Sequence, residues 1–588
     1  MALTANADNF TGTGGNDTFV SAQQNGLDTL AAGDTIDGGA GTDRLNVFGD
    51  GNIGSFAAAN VSNVEQVYAQ FSGTAAVAVT LNVSANAGVQ QAWVSKGDVG
   101  TGTTTVQLTK AQTAGIEGTV AGSGGVTLDY TNATAAAGDV ANLALNGANT
   151  TAGNITVGAA AARNIETLNV SATGANRLGT VSDQSSVTTY NIAGAGSVNA
   201  TLAGTAITTV NAADNTGGVT LTTTASAANN QTITGGTGND TITTTYAGLA
   251  SADTINLGDG VDSLIFTGAA TFNTTTTAAR LTNVSNVEKL GTANAALTVD
   301  GDLVSQNIFT TSGTGSFAIT NAANNATLEF GADAANASTA AMKLGANTLN
   351  VELNGSSTAA ANAVAGLTVT GSSTINLETN GTAGVAANTL ALTAASNQNV
   401  VITGSQGLTL TTTAANGTTG FAINGSAATG ALNITGTNAV DTIIGGAGDD
   451  TLNGGVSQAG VTAVKEVFTA TFAGNESGGD TTVTFDGVTT TLAGANGTAL
   501  AADFVGDYNA NAAATWVAVD NGNGTVTFTQ KTASDQTDVQ SSDFVVVDGA
   551  SKDTTAVTVA AAAPGKTHEK PLYDGLRSAL PVGANVVL

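Results

Sequence analysis

Residues 38–46 read GGAGTDRLN, residues 235–243 read GGTGNDTIT and residues 445–453 read GGAGDDTLN. Each is a complete match to the nonapeptide G-G-x-G-x-D-x-U-x, in which U is a large apolar residue. The chain has 76 glycines among 588 residues, but glycine content alone does not explain three complete matches. The three matches identify an internal repeat, and in each copy we expect the eighth-place apolar residue to begin a short strand and to point inward.

Looser copies of the nonapeptide lie in register beside the complete ones. Asp8 and Asp17 hold the sixth place in the consecutive nines 3–11 and 12–20, and Asp34 holds it in 29–37, which runs directly into 38–46. The second cluster pairs 226–234 with 235–243 and 248–256 with 257–265, and the third pairs 436–444 with 445–453. A lone match would favour an ordinary turn on an acidic surface, whereas phased tandem matches favour a built repeat.

The residue types of the nonapeptide suit a hard cation. Glycines allow a positive φ and a close approach of the backbone, the sixth-place Asp offers a carboxylate, and loop carbonyls complete an oxygen cage. Because Ca2+ takes about six to eight oxygen ligands, loops from successive coils must share each ion. The candidate ligand residues are Asp8, Asp17, Asp34, Gly38, Gly39, Gly41, Asp43, Gly235, Gly236, Gly238, Asp240, Asp253, Asp262, Asp441, Gly445, Gly446, Gly448 and Asp450.

The charge balance points to the same class of ligand. The chain has 14 Lys and Arg against 43 Asp and Glu, a net charge of −29. This charge disfavours binding to nucleic acid or anionic lipid and favours cations. Cysteine is absent, so neither disulfides nor thiolate metal sites can stabilise the fold.

At TGTGGNDTFV (11–20) and GDTIDGGAGTDRLN (33–46) the chain resembles RTX proteins, and its overall texture is similar to RTX S-layer proteins of Gram-negative, especially alphaproteobacterial, bacteria. The resemblance implies a parallel β-roll with Ca2+ between loops on one side, type I secretion through an uncleaved C-terminal signal, and folding outside the cell. It also implies calcium-bridged packing of copies at the cell surface, with lipopolysaccharide or another glycan as a candidate partner. Such proteins usually carry a separate N-terminal anchoring region, whereas here the pattern begins within ten residues of Met1, so anchoring lies elsewhere or this is the lattice-forming part alone.

A second repeat follows the first two clusters. NVSNVEQV at 60–67 recurs as NVSNVEKL at 283–290, and NIETLNV at 164–170 is a weaker relative. We interpret Glu65 and Glu288 as part of a structural turn or cap, in preference to a metal site.

We expect an all-β fold in which RTX parallel β-roll segments alternate with β-solenoid or β-sandwich modules, followed by a small C-terminal β domain with one helix at 498–511. Periodicity does not choose between solenoid and sandwich. The predicted divisions are 1–48 (first cluster), 49–225 (β-rich module), 226–266 (second cluster), 267–433 (β-rich module), 434–455 (third cluster), 456–563 (compact β domain) and 564–588 (tail, a candidate secretion signal).

The sequence offers few of the residues that usually carry out catalysis. The single histidine, His568, lies in the predicted tail, and Trp93 and Trp516 are isolated in the sequence. No stretch of about 18 apolar residues predicts a membrane span. We expect a secreted, non-enzymatic structural protein, with an RTX adhesin or biofilm-matrix protein as the alternative and a calcium-dependent β-helix enzyme acting on polysaccharides as a second one.

Overall fold

The fold is described from a computed structural model. It describes residues 1–24, 27–30, 33–49, 56–57, 60–71, 78–86, 88–97, 102–120, 125–134, 138–150, 153–158, 164–182, 186–223, 229–311, 314–331, 336–354, 363–381, 386–415, 419–455, 467–531, 539, 541–548, 554–559 and 586–587. Most of the predicted tail at 564–588 therefore lies outside the described residues.

The described residues form short strands almost throughout. Up to residue 266 the strands are β1 (Asn9–Thr11), β2 (Thr18–Ser21), β3 (Gln23–Gln24), β4 (Leu27–Asp28), β5 (Thr35–Asp37), β6 (Arg44–Gly49), β7 (Phe56–Ala57), β8 (Asn60–Ser62), β9 (Gln66–Phe71), β10 (Val79–Asn82), β11 (Gln91–Gly97), β12 (Thr104–Leu108), β13 (Thr113–Val120), β14 (Val126–Tyr130), β15 (Val140–Asn149), β16 (Ile155–Val157), β17 (Thr167–Thr173), β18 (Ala175–Ser182), β19 (Thr189–Ala193), β20 (Ser197–Ala203), β21 (Thr209–Asn211), β22 (Val219–Thr223), β23 (Thr232–Thr234), β24 (Thr241–Thr244), β25 (Thr254–Asn256) and β26 (Ser263–Phe266).

The remaining elements include two short helices. In chain order they are β27 (Ala270–Phe272), α1 (Thr275–Ala278), a 3-10 turn (Ala279–Leu281), β28 (Val284–Ser285), β29 (Lys289–Thr292), β30 (Ala296–Asp300), β31 (Ile308–Thr311), β32 (Ser316–Ala322), β33 (Ala326–Phe330), β34 (Ser338–Met342), β35 (Thr348–Asn354), β36 (Ala363–Thr370), β37 (Thr374–Asn380), β38 (Asn388–Ala394), β39 (Asn399–Gly404), β40 (Leu408–Ala414), β41 (Ala422–Ala428), β42 (Leu432–Thr435), β43 (Thr442–Ile444), β44 (Thr451–Asn453), β45 (Val467–Phe485), β46 (Val488–Gly494), α2 (Gly497–Ala510), β47 (Trp516–Asp520), β48 (Thr525–Gln530), a 3-10 turn (Ser541–Asp543), β49 (Val545–Val547), β50 (Thr554–Val559) and β51 (Val586–Val587).

The chain divides into two compact units, Met1–Gly268 with Thr275–Gly291, and Ala269–Thr274 with Thr292–Leu588. In the first unit β3 and β4 form an antiparallel pair. The other strands of this unit pair in parallel with a strand one coil away, as in β6–β9–β11–β13. Leu45, Val67 and Ala92 occupy matched positions in that series and are fully buried. Because apolar and polar residues alternate along the strands, the apolar side chains point into the coil and the polar ones point outward.

Stacked amides stabilise the outer surface of the first unit. The side chain of Asn169 donates to Asn142 Oδ1 at 3.1 Å, and that of Asn191 donates to Asn169 Oδ1 at 2.9 Å. These residues share one register position on β15, β17 and β19. The asparagines of neighbouring coils therefore form a ladder of side-chain hydrogen bonds, which is one structural role for the many asparagines of the chain.

The second unit also contains stacked parallel coils. One series runs β33–β35–β37–β39–β41–β43 and another runs β30–β32–β34–β36–β38–β40–β42–β44. Leu328, Val351 and Leu377 follow one another at the buried positions of the first series. The all-β expectation is confirmed, and the segments between the glycine-rich clusters form a parallel solenoid and not a sandwich.

Residues 467–559 include an antiparallel sheet with one helix. Its strands follow the order β46–β45–β48–β47, with β49 and β50 also paired to β45. Helix α2 begins after Asn496, whose side chain accepts the N–H of Ala499 at 3.0 Å, and buries Phe504 and Tyr508 against the sheet. Residues 467–559 thus have the predicted β fold with one helix, whereas a separate domain with the bounds 456–563 stays a prediction.

At the chain end, β51 pairs antiparallel with β43. Within the described residues, no helix is long and apolar enough to cross a membrane.

Candidate metal sites in the glycine-rich loops

All nine sixth-place aspartates lie at the junction of a glycine-rich loop and a strand. Each is followed directly by a strand, as Asp17 is by β2, Asp43 by β6 and Asp240 by β24. The apolar residue two places later points into the coil, and Phe19, Leu45 and Ile242 are no more than 1% exposed. The burial of this residue fixes the carboxylate at the loop end of the coil.

The aspartates of successive coils are stacked through main-chain hydrogen bonds. The N–H of Asp8 donates to Asp34 Oδ1 at 2.8 Å, and the N–H of Asp17 donates to Asp43 Oδ1 at 2.7 Å. The N–H of Asp240 donates in the same way to Asp262 Oδ1, at 2.7 Å. The structure thus brings together three pairs of predicted ligands, each pair on one side of the coil.

The other three predicted aspartates stack on residues that are not acidic. Asp253 Oδ1 accepts the N–H of Gln231 at 2.7 Å, where Gln231 replaces the sixth-place Asp. Asp441 and Asp450 accept from Phe421 and Leu432 at 2.5 and 2.8 Å. These carboxylates bond to a preceding coil that contributes no second carboxylate.

The second carboxylate oxygen distinguishes two kinds of loop. In the closed loops it accepts an N–H of its own loop: Asp240 Oδ2 bonds Gly236 N at 2.8 Å and Asp450 Oδ2 bonds Gly446 N at 2.6 Å. In the open loops, 38–43 and 257–262, the Oδ2 atoms of Asp43 and Asp262 are buried and have no hydrogen-bond partner. A buried carboxylate oxygen without a donor is costly, and a cation beside it would offset that cost.

Backbone conformation separates the same two classes. Gly39 and Gly41 have φ of 90° and 135°, and Gly258 and Gly260, at the same places of the second open loop, have 88° and 148°. The glycines of 235–240 and 445–450 have no positive φ. In these closed loops glycine is needed because the backbones of neighbouring coils approach closely. A Cβ on Gly236 would lie 1.8 Å from the carbonyl oxygen of Asn215.

The space beside the orphaned oxygen suits an ion held by oxygens. A Cβ built on Gly38 would lie 1.8 Å from the carbonyl oxygen of Asn63 and 2.6 Å from Asp43 Oδ2. A carbonyl of the next coil and a carboxylate of the same loop therefore converge on one glycine. Carbonyl and carboxylate oxygens are the ligands that Ca2+ prefers, so the residues present fit the ion.

Residues 25–47, 227–264 and 433–457 match the family model of the RTX calcium-binding nonapeptide repeat, in 4 copies. The chain carries RTX repeats. The cofactor of these repeats is Ca2+. A search of the curated proteins finds no match to the chain. The matched ranges begin after the looser copies at 3–20, yet the structure stacks Asp8 and Asp17 on RTX loops in the same way as the others.

Burial governs the charge state of several RTX carboxylates. Desolvation raises the pKa of Asp262 to about 6, and the nearby charges of Asp240, Glu288 and Asp259 act in the same direction. Desolvation also raises the pKa of Asp240 and of Asp441. At the solvent-exposed end, the N–H and hydroxyl of Thr13 lower the pKa of Asp17. The buried RTX carboxylates are therefore destabilised as anions until a cation neutralises them.

The residues of the repeated NVSNVE motif bond directly to the open RTX loops. Glu65 Oε2 accepts the N–H of Asp43 and Glu288 Oε2 accepts the N–H of Asp262, both at 2.8 Å. The structure thus shows the capping role inferred for both glutamates. The exact recurrence of the motif after an RTX pair is the sequence signal for it.

A second group of carboxylates was not identified from sequence. Glu476, Asp480 and Asp548 bring their oxygens within 4.8 Å of one another, and they are the only group of three potential metal ligands among the described residues. Glu476 is buried and accepts the N–H groups of Gly478 and Gly479 at 2.7 and 2.8 Å. None of the sixth-place aspartates belongs to this group.

Proposed function

We propose that this chain is a calcium-dependent structural protein of the bacterial cell surface, which folds outside the cell and assembles with copies of itself as an S-layer subunit. The observation that supports it is the pair of buried, orphaned carboxylate oxygens, Asp43 Oδ2 and Asp262 Oδ2, inside a parallel solenoid. RTX proteins are typically secreted, and a β-solenoid with RTX repeats fits an extracellular structural or adhesin-type role.

Calcium links the fold to the compartment. An acidic chain with a net charge of −29 repels itself when its buried carboxylates are not neutralised. If the coils bind calcium only when stacked, the free energy of binding adds to the free energy of folding. Sites with the affinity of extracellular modules, about 10⁻⁴ to 10⁻³ M, stay empty in the cytosol and fill outside.

Electron microscopy of the purified protein tests the assembly. With millimolar calcium the proposal expects a two-dimensional lattice, and with excess chelator it expects none. A variant with Asp43, Asp240 and Asp450 all changed to Ala is the matched control, since it should fail to assemble even with calcium. Monodisperse particles at every calcium concentration would contradict the S-layer role.

An adhesin is the second candidate, and exposed valines on the C-terminal sheet favour it. Val517 and Val519 on β47 are 41% and 52% exposed, and Val545 and Val547 on β49 are 53% and 55% exposed. Monodisperse protein that binds cells or glycans in calcium, and loses binding when these valines are changed to Thr, would support the adhesin. Loss of lattice formation in the same variant would instead assign the valines to assembly.

The environment of the tryptophans supports a non-enzymatic role over an enzyme acting on polysaccharides. The ring of Trp93 stacks on Tyr68 with centroids 5.3 Å apart, and its six-membered ring lies against Gly115, where a Cβ would be 2.1 Å from Trp93 Cδ2. Trp516 is 2% exposed and packs in the core of the C-terminal sheet. Sugar-binding sites usually present a free aromatic face, and neither indole does so.

A further inference from the structure

Residues outside the nonapeptide explain why the two open RTX loops lack a hydrogen bond to Oδ2 of their aspartate. In a closed loop, the N–H of the second-place glycine bonds the sixth-place aspartate, as Gly236 bonds Asp240 Oδ2 at 2.8 Å. In the open loops this N–H goes elsewhere. Gly39 donates to Asp37 Oδ1 at 3.1 Å and Gly258 donates to Asn256 Oδ1 at 3.2 Å.

The acceptors that divert these N–H groups are themselves held by the NVSNVE coil. The side-chain amide of Asn63 donates to Asp37 Oδ1 and that of Asn286 donates to Asn256 Oδ1, both at 2.7 Å. Both asparagines have a left-handed backbone, with φ of 48° and 50°. This conformation is common for Asn and rare for other side chains, which explains the asparagine at this place of the motif.

The glutamate of the same motif fixes the other end of the loop. Glu65 and Glu288 accept the N–H of Asp43 and Asp262, where an RTX coil would place its next aspartate. Two side chains of each NVSNVE coil thus hold an open loop: the asparagine bonds the residue just before the loop, and the glutamate bonds the last residue of the loop. The construction occurs twice in the chain with the same atoms.

We propose that the NVSNVE coils end the RTX arrays and hold loops 38–43 and 257–262 open, so that these two loops are the tightest calcium sites of the chain. Asn63 and Asn286 act as positioning residues through Asp37 and Asn256, and Glu65 and Glu288 act through the N–H groups of the aspartates. In the closed loops an ion shares Oδ2 with an N–H that competes for its electron density, which weakens binding. This inference rests on the proposed calcium-dependent function.

A third glutamate provides an internal control. Glu166 of NIETLNV accepts the N–H of Asp139 at 2.8 Å, just as Glu65 accepts that of Asp43. Asp139, however, is already neutralised, because Lys110 donates to its Oδ1 and the N–H of Thr134 bonds its Oδ2 at 2.7 Å. The same cap over a lysine-paired aspartate needs no ion.

Calcium titration by calorimetry, with terbium luminescence as a second readout, tests the inference on the full chain. Asn63→Gly and Asn286→Gly keep the left-handed backbone and remove the amide, so each should weaken one of the two tightest sites by about 10- to 100-fold, as loss of an outer-shell partner does. Glu166→Ala, the matched control, should leave both tight sites unchanged.

The outcomes separate the inference from the function. If the wild-type chain binds no calcium, the proposed function fails. If it binds calcium and the Gly variants keep both tight sites, this inference fails and the function stands. Glu65→Gln and Glu288→Gln serve if a Gly variant does not fold: Gln still accepts the N–H, so affinity should stay within about threefold, and a 10-fold loss would overturn the positioning role.

Discussion

The N–H of Asp240 donates to Oδ1 of Asp262, one coil further along, at 2.7 Å. The two residues nevertheless differ at Oδ2, which bonds Gly236 N in Asp240 and has no partner in Asp262. Both oxygens of Asp240 therefore have protein donors, whereas Oδ2 of Asp262 has none. Substitutions at the two positions should have different effects.

Asp262→Asn should reduce the calcium dependence of the unfolding free energy and have little effect on the stability of the calcium-free chain. The Asn Oδ1 still accepts the N–H of Asp240, and the lost Oδ2 had no protein donor. We expect the slope of unfolding free energy against the logarithm of free calcium to fall by the equivalent of about one ion. Urea unfolding at a series of calcium concentrations measures this slope, and an unchanged slope would count against an ion at this loop.

Asp240→Asn is the paired variant and should act in the opposite way. An amide cannot accept from both Val219 N and Gly236 N, which bond the two oxygens of Asp240 at 2.6 and 2.8 Å. One buried N–H loses its partner, at a cost of about 1–3 kcal/mol. At calcium concentrations that fill only the tighter sites, the unfolding free energy should be lower at every calcium concentration, while its slope against the logarithm of free calcium stays the same. A lower slope for Asp240→Asn would disprove the distinction between the two loops.

Gly38→Ala should be far more damaging than Gly14→Ala. A Cβ on Gly38 would lie 1.8 Å from the carbonyl oxygen of Asn63, whereas a Cβ on Gly14 meets nothing within 4 Å. We expect Gly38→Ala to abolish tight binding at its loop and to lower the melting temperature by several degrees. Calorimetry on both variants in calcium checks this, and similar melting curves would show that the coils are further apart than described.

Gly115→Ala should destabilise the first unit through the ring of Trp93. The new Cβ would lie 2.1 Å from Trp93 Cδ2, so the Tyr68–Trp93 stack must move. Overpacking of this kind costs about 1–3 kcal/mol. Gly506→Ala in α2, where a Cβ meets nothing within 4 Å, is the control and should stabilise by about 0.5–1 kcal/mol. Tryptophan fluorescence during unfolding reports both effects.

The Lys110–Asp139 pair predicts a pH dependence. The hydrogen bond from Lys110 and the N–H of Thr134 lower the pKa of Asp139 from 3.8. Its stabilisation is therefore complete above the unfolded value and is lost as the pH falls below 3.8 through the lower folded value. The stability difference between wild type and Lys110→Met should be constant near neutral pH and shrink below about pH 4.

Lys343→Met is the control for that pair. Lys343 and its partner Asp302 have side chains that are 54% and 44% exposed, against 28% and 11% for Lys110 and Asp139. Exposed ion pairs contribute little, so this variant should change stability by less than about 1 kcal/mol at every pH. Equal effects of the two variants would show that the part-buried Lys110–Asp139 pair has no special role.

Much of the architecture follows from the sequence because the nonapeptide ties local conformation to the position of each side chain. The eighth-place residues Phe19, Leu45 and Ile242 are buried as the period requires, and helix α2 covers nearly the predicted span. The choice of solenoid over sandwich did not follow, because strand alternation is the same in both. Parallel pairing between coils decides it.

The places of the candidate ligand residues follow from the nonapeptide, but the hydrogen bonding of each carboxylate does not, and their role as ligands stays a prediction. Asp240 and Asp262 occupy the same place in their nonapeptides, and whether Oδ2 is free depends on the residue before the loop, Thr234 or Asn256. An Asx residue there accepts the N–H of the second-place glycine, as Asn256 and Asp37 do. The sequence shows these Asx residues, but it does not show the hydrogen bonds from Asn63 and Asn286 of the next coil that hold them in place.

Circular dichroism during calcium titration tests the central claim most directly. Starting from excess chelator, the chain should lack most of its β signal and gain it cooperatively as free calcium reaches about 10⁻⁴ to 10⁻³ M. A chain that shows the full β signal and the same melting temperature in chelator as in calcium would contradict the claim that the ion completes the fold.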